Sequence, residues 1–278
     1  MYLAPARSTY WMPLTELFGG SATIGGVERS SDEACNPTGC GGHRRSDMPT
    51  CTTSWLLGQD NRMTQAWKFL DEGSRGVFSG FVWPTSGVNG APGPWVESHE
   101  VVACEQGVHA CSVEQLAWWM SAQLWEIELA GPIVVKGPKM VAKRGRLIRL
   151  VDAWPDLGPE LAEWAVWRVR GHAVDVLSAT GSSDAGAELA SATSFDDLGS
   201  TAAGIDLDPT SAAGVAIAQV ADSVDDVSNP IFACWDAARA AGHRASAADR
   251  SISSYKRAFA AERVLQSQWI ADRLRLGS

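Results

Sequence analysis

Long apolar runs are missing from this chain. Nowhere in its 278 residues do about 18 apolar residues follow one another, as a membrane-crossing helix requires. The first residues, Met1-Tyr2-Leu3-Ala4-Pro5, lack the basic segment and apolar stretch of a secretory signal. Cysteine is sparse: the six residues Cys35, Cys40, Cys51, Cys104, Cys111 and Cys234 are too few for a disulfide scaffold of this size. A reducing, cytoplasmic setting without membrane contact is therefore expected. The phosphate-cradling glycine loops, the Gly-x-Ser-x-Gly elbow and the His-Glu-x-x-His helix are also absent, which removes support for P-loop, dinucleotide-fold, lipase-like and zincin chemistry. Basic residues are outnumbered, 23 Lys and Arg against 32 Asp and Glu, and the net charge of −9 argues against general nucleic-acid binding. Between Asp175 and Asp236 there is no Lys or Arg at all.

Tryptophan, by contrast, is abundant. Thirteen indoles in this length call for a large packed core or an aromatic contact surface. An apolar fraction of 45% with 20% charged residues fits a folded protein. The distribution divides the chain in three. Residues 1–62 are rich in Gly, Ser, Thr and Pro and hold no apolar period, so they read as a low-order N-terminal extension; Met63 opens a stretch that reads like a protein start. Residues 63–151 alternate short strand patterns with turn signals and form a small α/β core domain. Residues 152–278 are alanine-rich, acidic and helical.

Within the middle segment, Val77–Trp83 reads as a strand ended by Pro84, and residues 95–104 as another. Ser112 with Gln115 has capping-box spacing and starts a short helix. In the strand over residues 124–129, Trp125, Ile127 and Leu129 share one side and Leu124, Glu126 and Glu128 the other. Gly131-Pro132 is expected to turn the chain, and residues 133–135 and 140–151 to form further strands. The basic run Lys136, Lys139, Lys143, Arg144, Arg146 and Arg149 fits three readings: a contact to phosphate on a nucleotide, to a nucleic acid or to a partner; a hairpin turn at Lys143-Arg144-Gly145-Arg146 with solvated charges; or pairing with the acidic C-terminal domain. The fold class is α+β: a small, mostly antiparallel sheet with one short helix, then the helical domain. There, Leu161, Ala162, Ala165, Val166, Val169, Ala173, Val176 and Leu177 occupy one half of a wheel, with His172 at its edge as a core histidine. Trp164 and Trp167 fall on the charged half. Loops are expected over residues 181–186 and 199–209. Asn229-Pro230 opens a helix that Gly242 ends, beside His243, and a last helix over 252–276 carries Tyr255, Phe259, Leu265, Trp269 and Leu276 on a face interrupted by Glu262 and Arg273.

The run Cys104-Glu105-Gln106-Gly107-Val108-His109-Ala110-Cys111 gathers two thiols and an imidazole. Three chemistries fit: a metal site, a thiol activated by a nearby imidazolium, or small semi-buried cysteines with a hydrogen-bonded histidine at a strand-to-helix turn. Gly107 suits a backbone of positive φ or a close approach. Cys104, Gly107, His109, Cys111 and Trp125 are the candidate binding residues. A second group, Cys35, Cys40, His43 and Cys51, has the donors for a tetrahedral zinc but no recognisable spacing.

The Cys104-x2-Gly107-Val108-His109-Ala110-Cys111 motif, followed by Trp125-Glu126-Ile127-Glu128-Leu129-Ala130-Gly131, resembles a bacterial and phage family of unknown function. Its members carry a Gly-aromatic-His-Ala-Cys motif and a Glu-Leu-x-Gly strand; Val108 replaces the aromatic here. The resemblance spans roughly residues 75–151 and implies a shared fold without an assigned activity. The C-terminal segment around Trp269 is similar in composition to tails of actinobacterial proteins. The same pieces are similar, more distantly, to part of ADP-ribosyltransferase-like domains, which implies NAD as cofactor, His109 as the nucleotide-holding group and Glu126 or Glu128 as the acceptor-orienting carboxylate. Two functions thus stand side by side: a non-catalytic module that binds a protein or small-molecule ligand, and an NAD-using transferase.

Overall fold

The computed structural model describes residues 63–85, 90–103 and 105–277. Strand β1, Thr64–Leu70, pairs antiparallel with β4, Gln123–Val135; β4 pairs with β5, Met140–Leu150. The other edge of β5 takes β2, Val96–Glu97, and β3, Val108–Ala110. The circuit then returns to its start, because Cys111, just past β3, exchanges two 2.8 Å backbone hydrogen bonds with Trp67 of β1. The strands therefore wrap into a small closed barrel. Closure removes most unpaired sheet edges, which would otherwise recruit other chains.

Strand alternation sorts the side chains. Ala66, Leu70, Val108, Ala110, Trp125, Ile127, Leu129, Met140, Ala142 and Leu147 fill the interior. Trp67, Phe69, Cys111 and Leu124 point outward into the helical core. Each fully buried Leu or Ile here contributes about 1.5–3 kcal/mol. The tight interior also needs small residues: a Cβ on Gly145 would stand 2.7 Å from Val108. The Gly131-Pro132 turn does not occur. β4 runs through it with a bulge between Ala130 and Ile133, Gly131 taking φ +81°, and the turn falls at residues 136–139. Lys143–Arg146 is likewise mid-strand rather than a hairpin. Val77–Trp83 forms no strand: Gly80 adopts φ +64° and only Val82 bridges, to Arg75, so the segment is a turned loop. Of residues 95–104, only Val96–Glu97 pairs with β5, alongside an isolated Val102–Gln106 bridge.

The short helix is a 3-10 turn, Val113–Trp118, where Gln115 Oε1 accepts from the Ser112 N–H at 3.0 Å. It links barrel to helices: the Ala117 N–H donates to Ser267 Oγ at 2.9 Å. Six α-helices follow among the described residues: α1 Trp154–Ala179, α2 Ser183–Ser191, α3 Phe195–Gly204, α4 Ala212–Asp225, α5 Pro230–Asp249 and α6 Ile252–Leu274. All eight wheel positions expected on α1 are buried. Pro155 opens α1 a turn earlier than expected, leaving Pro159 inside the helix. Trp164 and Trp167 stack on Trp269 and Phe195, with centroids 5.5 and 5.1 Å apart. Residues 183–191 and 195–204 are helical because Leu189, Leu198 and Ala202 join the common core, a gain that outweighs the glycine penalty. Gly242 does not end α5. It lies mid-helix, where a Cβ would stand 2.6 Å from the Tyr255 ring, so glycine permits α5 and α6 to touch. The buried face of α6 is largely polar, with Glu262, Arg263, Gln266 and Ser267, while Leu265 is exposed.

Each of those residues has a hydrogen-bond partner, with Arg263 Nε alone among their fully buried side-chain polar atoms left without one. The Glu262 carboxylate accepts from Arg168 Nε at 2.9 Å and lies 3.3 Å from His172 Nε2, so His172 is the satisfied core histidine expected. Burial opposes ionisation of Glu262, but the hydrogen bonds from His172 and Arg168 outweigh it and hold the carboxyl at about 2. The Arg263 guanidinium lies between Trp118 and Trp235, 5.6 and 5.4 Å from the ring centroids. No helix among the described residues is long and apolar enough to cross a membrane.

Candidate functional site at the barrel mouth

β1 has a charge at an inward position. Lys68 stands between Ala66 and Leu70, and its ammonium donates to the His109 carbonyl at 2.7 Å beneath the Trp83 ring, 4.6 Å from the centroid. Burial lowers its pKa to about 8. His109 lies across β3 with Nδ1 3.1 Å from the Gly107 carbonyl, while its buried Nε2 has no partner. Burial, then the charges of Lys68 and Lys139, push this imidazole below its usual value and keep it neutral near pH 7. Gly107 meets both expectations for a glycine: its φ is +129°, and a Cβ would stand 2.4 Å from Val141.

The other sequence candidates separate. Cys111 is buried and donates to the Trp67 carbonyl at 3.4 Å; burial pushes its thiol up to about 12, so the activated-thiol option is withdrawn for this residue. Trp125 packs inside the barrel. Glu126 and Glu128 face outward from β4, held by Arg149 at 2.7 Å and Arg146 at 2.6 Å, with Gln65 donating to Glu126. His109 is opposite Val141 on β5, whereas Glu128 is opposite Arg146. Five strand residues separate those positions, roughly 16 Å. The strands do not bring His109 and a glutamate together. Cys104 and the group Cys35, Cys40, His43 and Cys51 lie outside the described residues. Among those described, no three His, Cys, Asp or Glu side chains are placed to hold a metal ion.

Around the mouth, the rim is aromatic and cationic. Phe78 is 69% exposed and meets Trp119 edge-on at 6.2 Å; Phe81 is 47% exposed and meets Trp83 at 5.7 Å. The Trp119 indole N–H donates to the Pro138 carbonyl, and Lys139 lies 5.9 Å from its ring centroid, so the β4–β5 turn and the Phe78 loop share one indole. Exposed Val82 and Val135 extend the surface, as do the charges of Lys136 and Lys139. Lys68 and the exposed Phe78 and Phe81 of this rim were not legible in the sequence, although the aromatic Trp118-Trp119 pair and the basic run with Lys136 and Lys139 pointed to a contact surface. For Lys68 the available signal was a lysine amid Trp67, Phe69 and Leu70, on the parity of the inward residues. Two shallow depressions occur elsewhere, at His243, Ser246 and Arg250 between the helices.

Comparison of the chain with protein-family models, curated proteins and solved structures returned no match.

Proposed function

We propose that this protein is a non-catalytic binding module whose docking surface is the aromatic and cationic rim of the barrel. One observation carries this reading. Of eight large apolar side chains left exposed among the described residues, Phe78, Phe81 and Val82 lie on one loop and Val135 at the end of β4, beside the turn that Trp119 joins to that loop. Exposed apolar groups clustered in this way mark interaction sites, whereas scattered ones need no explanation. Lys136 and Lys139 add positive charge in an otherwise acidic chain, so the rim suits an acidic partner. The transferase reading gains no comparable support, since the candidate glutamates are spent in ion pairs far along β5 from His109.

Titration of the full chain with a poly-glutamate peptide, followed by tryptophan fluorescence, tests this. A saturable change at low salt that disappears in a Phe78→Ser, Phe81→Ser variant is expected. An identical response from parent and variant overturns the assignment of the surface.

A further inference from the structure

The charges of this chain are segregated, and the fold leaves them so. Residues 131–150 carry Lys136, Lys139, Lys143, Arg144, Arg146 and Arg149 without a single acidic residue. The three arginines find partners on the barrel's own strands: Arg144 with Glu97, Arg146 with Glu128 and Arg149 with Glu126. Lys136 and Lys143 are exposed and make no ion pair among the described residues. Helices α2 to α4 show the converse. Asp184, Glu188, Asp196, Asp222 and Asp225 are exposed on a stretch of chain with no cation of its own. These helices pack on α1, α5 and one another. Among the described residues no ion pair joins Lys136 or Lys143 to these helices, and the acids flanking them, Asp175 of α1 and Asp236 of α5, are paired by Arg244 and Arg239 of α5.

We infer that the partner of the rim is a second copy of this chain, which lays its acidic helices α2 to α4 against the turn at residues 136–139, Lys143 beside it on β5 and the adjoining Phe78 ring. The inference rests on the rim being a docking surface and adds its occupant. Charge complementarity carries it: one molecule offers both signs on different elements, at equal concentration, with Lys136 and Lys143 on one side and Asp196 and Asp225 on the other making no ion pair among the described residues. The contact joins two different patches and is therefore heterologous, so growth proceeds head to tail, into a ring or an open chain, rather than stopping at a two-fold dimer. Phe78 and Val135 supply apolar area at its centre, and the lysines supply orientation and a salt-dependent encounter.

Sedimentation velocity on the full chain over a hundredfold concentration range, at low and high sodium chloride, tests this. Association beyond dimer at low salt, reversed at high salt, is expected. A Lys136→Glu, Lys143→Glu variant and an Asp196→Lys, Asp225→Lys variant should each lose it. Both alter exposed positions, and circular dichroism checks their fold. Mixing the two restores association, because each carries the surface its partner now needs. A monomer under every condition, or an assembly that ignores both variants, overturns the second-copy inference. Poly-glutamate titration then separates the outcomes: peptide binding that requires Phe78 leaves the docking surface standing with another acidic partner, and no peptide binding removes both. Saturable binding of an oligothymidylate strand or anionic vesicles, with no self-association, also rejects the second copy.

Discussion

Trp67 and Cys111, 44 positions apart, exchange both backbone hydrogen bonds at 2.8 Å. This one bridge returns the strand circuit to β1 and separates two apolar compartments. The side chains of both residues enter the helical core, while Ala66 and Ala110 beside them line the barrel. The same bridge brings the carbonyl of His109 to the ammonium of Lys68.

Cys111 should behave as an inert thiol. With its pKa pushed up to about 12 by burial, it carries almost no thiolate at pH 8. Iodoacetamide applied to the native protein, with labelled peptides mapped by mass spectrometry, should leave Cys111 unmodified until urea is added. Native labelling at the rate of a free cysteine would contradict the buried placement.

Two glycines with positive φ should respond differently to alanine. At Gly137, φ is +56° and nothing lies near the absent Cβ, so Gly137→Ala should cost about 1 kcal/mol of backbone strain. Gly107→Ala adds a 2.4 Å approach to Val141. It should cost about 3 kcal/mol or more, because overpacking joins the strain. Urea denaturation of both variants reads the difference; equal losses would mean that β3 does not sit against β5 as described.

Lys68 should make the protein more stable as pH rises. Its folded pKa of about 8 lies below the usual 10.5, so between these values the unfolded chain holds a proton that the folded one has released. Stability therefore climbs across this window and is lowest below it. Lys68→Met should flatten that part of the profile. It should also raise the His109 pKa part of the way to its usual value, since burial and Lys139 still act on the imidazole. Nuclear magnetic resonance titration of His109 checks the second point; an unmoved His109 would place Lys68 away from the ring.

Glu262 runs the other way. Its carboxyl, held at about 2 against a usual 4.5, contributes stability that is fully present above pH 4.5 and lost as pH falls through the folded value. Glu262→Gln should remove this acid-labile component and cost about 2–4 kcal/mol at pH 7, the lower end applying because Arg168 is one-third exposed. Thermal melts from pH 2 to 7 measure both; parallel profiles for parent and variant would refute the paired geometry.

Local rules account for much of the fold. Alternation in residues 124–129 placed Trp125, Ile127 and Leu129 together, the α1 wheel identified its buried face, and Ser112 with Gln115 marked the 3-10 turn. The site was far less legible. Gly107 stood out because positive φ and close approach are properties of a single position. Lys68 did not, since nothing nearby in sequence reveals that a strand 41 residues away will offer a carbonyl to its ammonium. Gly131-Pro132 and Gly242 misled for a common reason: both read as breaks by local propensity, and long-range pairing or helix contact overrides propensities of about 1 kcal/mol.

From sequence alone came the α+β class, the face of each periodic segment and the segregation of charge along the chain, because these follow from the composition and spacing of neighbouring residues. Tertiary structure decided the rest: that the strands close into a barrel, that Glu126 and Glu128 are spent on arginines, and that Phe78 and Trp119 meet at the mouth. Each depends on groups far apart in the chain, and only the packed backbone determines which of them come within a few ångströms of one another.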